Sequence, residues 1–296
     1  MEIEKYIKAR KKLINEELDR LLPNPTTYPQ SIKKSMRYST FAGGKRLRPI
    51  LCLATCESLG GSFRKALPFA CAIEMIHTYS LIHDDLPALD NDDFRRGMPT
   101  NHKKFGESTA ILTGDALLTY AFQIMTAPET IKRVGAEKAV KISKDIADKA
   151  GIFGMIGGQV ADIESEKKNI SKQRLRFIHL NKTAALITAS IRTGAIVADC
   201  SKKELEKLTN FGEKIGLAFQ IKDDILNVEG SKDLTGKSVG SDAEKGKATY
   251  PALYGLEKSK KIAKKLIEES DSIIESMNLK FSYLKDIAQM VLSRNN

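Results

Sequence analysis

The chain has 296 residues, of which 42% are hydrophobic and 29% charged, and its formal net charge is +11 at pH 7. These values are typical of an ordinary globular protein with a large buried core. Asp115 and Arg192 interrupt the longest apolar runs, so we expect no membrane-spanning helix, and the N-terminal residues lack the apolar stretch of a secretory signal.

Helical periodicity runs through the whole chain. No linker rich in Pro, Ser or Gly divides it, and no repeat of about 20–50 residues is present. The sequence therefore predicts a single all-α domain over residues 1–296, a bundle of about ten helices with polar sites inside. The predicted helices are, in chain order, Ile3–Leu22, Ser31–Thr40, Leu47–Leu59, Ala66–His83, Ser108–Met125, Glu137–Ala150, Ser171–Asp199, Lys202–Val228 and Tyr250–Ser276. Predicted breaks include Pro87–Pro99, Pro128, Gly157–Gly158 and Gly230–Gly246.

A turn with Lys45 and Arg48 opens the third predicted helix. Helix N-termini favour anions, so two cations at this position are unfavourable unless an anion is bound. The turn could bind a phosphate group, or it could be a basic turn at the surface. His77 lies on the next apolar helix, where a core histidine with one hydrogen bond is the commoner case.

The first acidic cluster follows this apolar helix directly. Asp84 and Asp85 end the helix, where the dipole is already negative, so a cation must compensate them. Mg²⁺ prefers carboxylate oxygens together with substrate phosphate and water. Asp90 belongs to the following acidic loop, which alone could equally be a polar surface loop. Arg95 and Arg96 come next and could pair with these acids or bind diphosphate.

The second acidic cluster lies on the predicted helix Lys202–Val228. Gln220, Asp223 or Asp224, and Asn227 recur at spacings of three and four, and so share a face. A lone pair of aspartates would be read as a solvent face. Two such pairs, each late in an apolar helix, favour opposed rows of carboxylates that hold several metal ions against a diphosphate.

A glycine-rich segment with Lys237 and Lys247 follows the second cluster. It could close over a site as a lid, or it could be an ordinary surface loop.

These motifs, from GGKRLRP through DDLPALDNDDFRRG to FQIKDDILN and GKATYP, resemble those of the trans-prenyltransferase (polyprenyl diphosphate synthase) family in order and spacing. The resemblance implies an all-α isoprenoid synthase fold with a central active-site cavity. It also implies a homodimer, isopentenyl, dimethylallyl and geranyl diphosphates as substrates, and Mg²⁺, as three ions in each site.

The resemblance also assigns roles to single residues. Asn227 departs from the family pattern, which has Asp there, and contributes no charge. The implied metal-binding residues are Asp84, Asp85, Asp90, Asp223, Asp224 and Asn227. The implied isopentenyl diphosphate site is Lys45, Arg48, His77 and Arg96, and the implied allylic site is Arg95, Lys182 and Thr183. Lys237 and Lys247 would close over the leaving group, and Gln220, from the second motif, would also contact the substrate. The residues expected to take part in catalysis are Asp84, Asp85, Lys182, Gln220 and Asp223.

Product length is expected to depend on the depth of the pocket. Tyr79 and Ser80 precede Asp84 by about 6–7.5 Å along the helix, and a bulky Tyr there would form the floor. The resemblance links an aromatic residue at this position, together with the four residues between Asp85 and Asp90, to farnesyl diphosphate, a C15 product made by sequential head-to-tail condensation. The alternatives are a geranylgeranyl (C20) diphosphate synthase, a class I terpene cyclase and a non-catalytic partner subunit.

The remaining features favour none of the other classes. The four cysteines have no metal-binding spacing and are expected to be small buried thiols in a reducing cytoplasm. The basic charge suggests polyanionic partners, but no nucleic-acid motif is present, so a nucleic-acid binder ranks last.

Overall fold

The structure is a computed structural model that describes residues 2–229, 247–281 and 283–294. Apart from one two-stranded hairpin, the regular elements in these ranges are helices, which agrees with the predicted all-α class. The helices are α1 (Glu2–Leu21), α2 (Gln30–Phe41), α3 (Leu47–Ser58), α4 (Phe63–Asp84), α5 (Asn101–Phe105), α6 (Glu107–Met125), α7 (Pro128–Val134), α8 (Ala136–Ala150), α9 (Met155–Ile163), α10 (Lys172–Ile178), α11 (Ala185–Val197), α12 (Lys202–Glu229), α13 (Tyr250–Tyr254), α14 (Leu256–Glu275) and α15 (Tyr283–Ser293). A π-helical segment, His179–Ala184, joins α10 to α11, and the strands are β1 (Phe94–Arg95) and β2 (Met98–Pro99).

Contacts within the chain define two compact units. The first unit consists of the described residues of 1–53 and 63–143, and the second of those of 54–62 and 144–296. The single domain over residues 1–296 stays a prediction. None of the helices that the structure describes is both long and apolar enough to cross a membrane.

The core of the first unit follows α4, which packs along α6. Most side chains of α4 are buried, including Phe69, Ile73 and Ile76. A helix that is apolar on all sides fits a central position in a fold. Its last residue, Asp84, lies where the helix ends at the edge of the core, so the first acidic cluster follows a well-buried helix.

The second unit is organised around α12, which packs against α11, the π-helical segment and α14. A Cβ on Gly216 would lie 2.5 Å from Ala184 Cβ, and one on Gly212 would lie 3.0 Å from Thr188 Cα. Only glycine allows such a close approach of two backbones. Gly216 thus brings α12 against the segment that carries Lys182 and Thr183, and Gly212 brings α12 against α11.

Two predicted helices are interrupted in the structure. The predicted helix Ser171–Asp199 contains the π-helical segment, a local widening that is frequent at functional sites. The predicted helix Tyr250–Ser276 breaks at Gly255, where φ is +79° and the right-handed helix cannot continue.

Two predicted breaks are helical instead. Pro128 begins α7, because the first turn of a helix does not need the missing N–H. Gly157 and Gly158 lie inside α9, where a Cβ on Gly158 would lie 2.1 Å from the backbone nitrogen of Lys182. This glycine serves close packing. The sequence patterns also missed α5, α15 and the hairpin.

Candidate functional site

The first acidic cluster lies in a turn that folds back on the end of α4. The backbone N–H of Asp90 donates to the carbonyl oxygen of Asp84 at 2.8 Å, and that of Asn91 donates to Leu86 O at 3.1 Å. Asn91 has a φ of +51°, a conformation that Asn adopts more readily than most residues. The turn therefore brings the backbone of Asp90 to that of Asp84, with Asp85 next to it in the chain.

Asp85 forms a buried ion pair with Arg95. The carboxylate is 3% exposed, and it accepts hydrogen bonds from Arg95 Nε at 2.8 Å and 2.9 Å and from Nη2 at 2.6 Å. A two-point contact of this kind is the strongest form of a guanidinium–carboxylate pair. The first arginine after the acid run is thus bound to it in this structure.

The hairpin explains how adjacent arginines reach different partners. β1 and β2 pair antiparallel, with Phe94 opposite Pro99 and Arg95 opposite Met98. Arg96 and Gly97 form the two-residue turn, with φ values of +53° and +76°, as a type I′ turn requires. The strand holds Arg95 at the acid, while Arg96 stands at the tip.

Arg96 reaches from this tip to the glycine pair that precedes Lys45. Its Nη1 donates to Gly43 O at 2.5 Å. A Cβ on Gly44 would lie 2.5 Å from the same nitrogen, so a side chain there would displace the guanidinium. Gly43 and Gly44 also have φ values of +102° and +114°, which favour glycine. The GGKRLRP turn and the hairpin tip are therefore in contact.

Arg46 anchors this turn to the core. Its Nη1 lies 2.7 Å from Glu74 Oε1 on α4, with both side chains almost fully buried, at 2% and 3% exposure. Its other nitrogens donate to Thr40 O at 2.5 Å and to Asn15 Oδ1 at 2.9 Å. Since Lys45 and Arg48 flank this anchor, it fixes the backbone that carries both.

A cluster of positive charge surrounds His77. Arg48 Nη1 lies 3.4 Å from His77 Nε2, so the ring nitrogen acts as the acceptor. Burial lowers the pKa of His77 well below its usual range, and the charges of Arg48, Arg96, Arg95 and Arg46 lower it further. A bound anion would offset the positive charge of the arginines around this neutral histidine. Lys45, in the same turn, is exposed.

The predicted pocket floor is buried on α4. Tyr79 is 6% exposed, and its hydroxyl has no hydrogen-bond partner among the described residues. Burial raises the pKa of Tyr79 to about 12, with a contribution from the charge of Asp84. Ser80 is half-buried, and its hydroxyl donates to His77 O at 2.9 Å.

In the second unit, Asp224 is the centre of a buried network. It is 3% exposed, its Oδ2 lies 2.9 Å from His179 Nε2, and it accepts from the backbone N–H of Tyr250 at 2.9 Å. Gln220 Nε2 donates to its other oxygen at 3.2 Å, and Thr183 Oγ1 donates to Gln220 Oε1 at 2.8 Å. The network joins α12, the π-helical segment and the start of α13.

The other predicted residues of this unit lie apart from that network. Lys182 Nζ is 2.7 Å from Asp162 Oδ2 on α9. Asp223 is exposed over 53% of its side chain and pairs with Arg294 at 2.8 Å. Asn227 and Lys247 are half-buried. Lys237 lies outside the described residues.

No group of three or more His, Cys, Asp or Glu side chains within the described ranges is arranged as a ready-made metal site. Mg²⁺ commonly binds through one or two carboxylates and completes its shell with substrate phosphate and water. The donor set of Asp84, Asp85 and Asp90 fits this chemistry, and so does the exposed Asp223. Asp85 and Asp224 would each have to give up a hydrogen-bond donor to bind a metal ion, because donors already occupy both oxygens of each carboxylate.

Sequence reasoning missed several residues that position these groups. Glu74 is the one acid inside α4 before its last residue, Asp84, a signal that a buried cation lies nearby. The sequence patterns assign no role to His179, yet it contacts Asp224 of the second cluster. Asp162 and Arg294 carry no sequence signal, since their contacts depend on the tertiary fold.

Comparison with known proteins identifies the family. The sequence model of the family described as polyprenyl synthetase matches residues 29–282. Geranylgeranyl diphosphate synthase of Cyanophora paradoxa is 46% identical over 292 residues, which cover 98% of this chain and 96% of that protein. Farnesyl diphosphate synthase of Bacillus subtilis is 44% identical over 291 residues, 98% of each chain.

A solved structure of an FPP/GFPP synthase from Zymomonas mobilis matches with a TM-score of 0.87 at 33% identity, covering 98% of this chain and 99% of that chain. The predicted isoprenoid synthase fold and the predicted prenyltransferase class are thereby confirmed. The chain belongs to the polyprenyl synthetase family.

Proposed function

We propose that this chain is a Mg²⁺-dependent farnesyl diphosphate synthase. It would condense isopentenyl diphosphate with dimethylallyl diphosphate and then with geranyl diphosphate, giving (2E,6E)-farnesyl diphosphate and diphosphate in the cytoplasm. The observation that carries the proposal is the contact of Asp85 with Arg95 beside a cluster of further arginines. Carboxylates that suit a metal ion and guanidinium groups that suit phosphate thus meet in one place.

The proposed roles follow from the two clusters. Mg²⁺, as three ions held by Asp84, Asp85, Asp90, Asp223 and Asp224 with help from Asn227, would neutralise charge on the leaving diphosphate. Arg95, Lys182, Lys237 and Lys247 would hold the allylic diphosphate, while Lys45, Arg48, His77 and Arg96 would hold isopentenyl diphosphate.

The proposed reaction requires these residues to stabilise a short-lived allylic cation. After the C1–O bond breaks, the double bond of isopentenyl diphosphate attacks C1, and the departed diphosphate takes the proton. Gln220 presents an amide oxygen that Thr183 orients through a 2.8 Å hydrogen bond, and such a fixed dipole can stabilise the cation. Water must be excluded, because it would trap the cation.

The C15 product rests on Tyr79 as the floor of the pocket. The ring is buried and lies five residues before Asp84. A geranylgeranyl diphosphate synthase is the second candidate, since a relative of that name is 46% identical over 98% of this chain.

A homodimer is also proposed. Ile156, Val160 and Ile163 follow one face of α9 at spacings of four and three, and each is more than 40% exposed. Ile152 and Phe153, just before the helix, are 72% and 79% exposed. Exposed apolar patches of this kind mark interaction surfaces, and a second copy of the chain would cover them.

The test is an incubation of the purified chain with isopentenyl and dimethylallyl diphosphates and Mg²⁺, with the products sized by chromatography. Parallel reactions contain EDTA or use geranyl diphosphate as the primer. We expect mainly C15 product and none with EDTA. A dominant C20 product would favour the second candidate, and no product with either primer would overturn the proposal in favour of a non-catalytic subunit.

A pair of matched variants sharpens this test. Asp84→Asn should abolish turnover, because it removes a proposed metal ligand. Asp93→Asn, in the same acidic loop, should not, because Asp93 is 60% exposed and its pair with Lys103 lies at the surface, where ion pairs contribute little. Equal activity in the two variants would argue against a metal site in this turn.

A further inference from the structure

His83 lies in the contact between α4 and α6. Its Nε2 is 3.0 Å from the backbone oxygen of Ile111 on α6. A carbonyl oxygen can only accept, so the ring donates from Nε2. The hydrogen bond fixes the plane of the imidazole against α6.

Gly114 provides the space that this ring occupies. A Cβ on Gly114 would lie 2.0 Å from His83 Nε2, 2.5 Å from Cδ2 and 2.7 Å from Cε1. All three atoms belong to the end of a side chain, so the imidazole, and not the helix backbone, would have to move. Gly114 is buried within α6, where glycine otherwise weakens a helix by about 1 kcal/mol relative to Ala.

The fixed imidazole in turn contacts the ring of Tyr79. The two side chains are four residues apart on α4 and so share a face. Their ring centroids are 5.7 Å apart at an interplanar angle of 77°. Since the Tyr79 hydroxyl has no hydrogen-bond partner among the described residues, no such bond holds the ring. Its position depends on packing, and the edge-to-face contact with His83 is a directional part of that packing.

We infer that His83, seated in the space left by Gly114, positions the Tyr79 ring and thereby determines product length. This inference rests on the proposed function, in which Tyr79 is the floor of the pocket. His83 acts through Tyr79 and is therefore a positioning residue. Neither His83 nor Gly114 is among the residues proposed to bind substrate or metal.

The experiment compares the product ratios of His83→Ala, Gly114→Ala and the double variant with those of the wild-type chain. Each single change should raise the ratio of products one isoprene unit longer to the wild-type product by about 2- to 12-fold, the effect expected for loss of one edge-to-face ring pair. The rate of the first condensation should change little. His102→Ala is the matched control, because His102 is buried in α5 against Thr100 and should leave the ratio unchanged.

The double variant tests the mechanism. With the imidazole gone, the Cβ at position 114 has nothing to displace, so the double variant should match His83→Ala. Added effects of the two changes would overturn the inference, as would an unchanged ratio in Gly114→Ala. If His83→Ala loses turnover because position 83 adjoins Asp84, the product ratio of Gly114→Ala alone tests the inference.

The same data separate the inference from the proposed function. Absence of any prenyl product from the wild-type chain defeats the proposed function. A wild-type chain that makes product and variants that keep its length defeat only the role of His83. The comparison holds whether the wild-type product is C15 or C20.

Discussion

Replacing Glu74 by Gln should destabilise the chain strongly. The change removes the negative charge opposite Arg46 in a pair whose side chains are 2% and 3% exposed. Arg46 cannot turn toward water, because Thr40 O and Asn15 Oδ1 hold its other nitrogens. Leaving one charge of a buried pair uncompensated costs about 3–5 kcal/mol. For 296 residues unfolding together, this corresponds to a fall in Tm of roughly 5–8 °C.

Differential scanning calorimetry measures the stability, and steady-state kinetics measures the effect on the proposed isopentenyl diphosphate site. Because Arg46 anchors the turn that carries Lys45 and Arg48, the KM for isopentenyl diphosphate should rise more than kcat falls. The matched control is Asp148→Asn, which breaks a surface pair with Lys144 and should change the free energy of unfolding by less than about 1 kcal/mol.

A third variant separates lost charge balance from lost packing. Arg46→Met combined with Glu74→Leu replaces the pair by apolar side chains and should recover most of the lost stability. A Glu74→Gln protein whose Tm lies within about 1 °C of the wild-type value would refute the reasoning.

Four further predictions concern single residues. Tyr79→Phe removes a buried hydroxyl that has no partner among the described residues, so it should keep product length and raise the free energy of unfolding by up to about 1 kcal/mol. Tyr79→Ala should lengthen the product, and an unchanged product would exclude Tyr79 as the floor of the pocket. Asp224→Asn should lower Tm by breaking the buried network, whereas Asp223→Asn should mainly raise the Mg²⁺ concentration needed for half-maximal activity; similar behaviour of the two variants in both assays would contradict this division. The pKa of His77 is lowered in the folded chain, so below about pH 6.5 the unfolded chain binds more protons and the free energy of unfolding falls as the pH drops. Between about pH 6.5 and 5.5, the free energy of unfolding of His77→Gln, measured by urea titration, should fall by about 1 kcal/mol less than that of the wild type. Parallel pH curves for the two proteins would exclude this role of His77. Phe153→Glu should convert the proposed dimer to a monomer in size-exclusion chromatography with light scattering. Val140→Glu on α8, another exposed apolar position, is the control. An unchanged mass for Phe153→Glu would place the proposed interface elsewhere.

Periodicity predicted the long helices because their apolar faces repeat in the sequence. It identified the Asp84 and Asp85 pair because charge at the end of a buried helix is unfavourable without a cation. It could not find the π-helical segment His179–Ala184, since one wider turn barely changes an apolar pattern. The sequence did not predict the hairpin at Arg96 and Gly97 either, because its strands have two residues each and its turn lacks the usual Asn-Gly or Asp-Gly pair.

Contacts across the fold were beyond sequence reasoning for a different reason. That Asp224 would be buried against His179, while its neighbour Asp223 is exposed, depends on which helices surround α12. The sequence pattern left this choice open. The close approach of Gly114 to His83 likewise exists only once α4 and α6 have packed together.

In the proposed function, the ion pair of Asp85 with Arg95 would make metal binding and diphosphate binding depend on each other. A metal ion arriving alone would have to displace the guanidinium from the carboxylate and leave that cation without its counter-charge. If a metal ion arrived with a diphosphate, Asp85 and Arg95 would exchange partners instead. Asp85 would bind the metal ion, and Arg95 would bind a phosphate oxygen. The two ligands should therefore bind with positive cooperativity, each tightening the affinity for the other by the same factor.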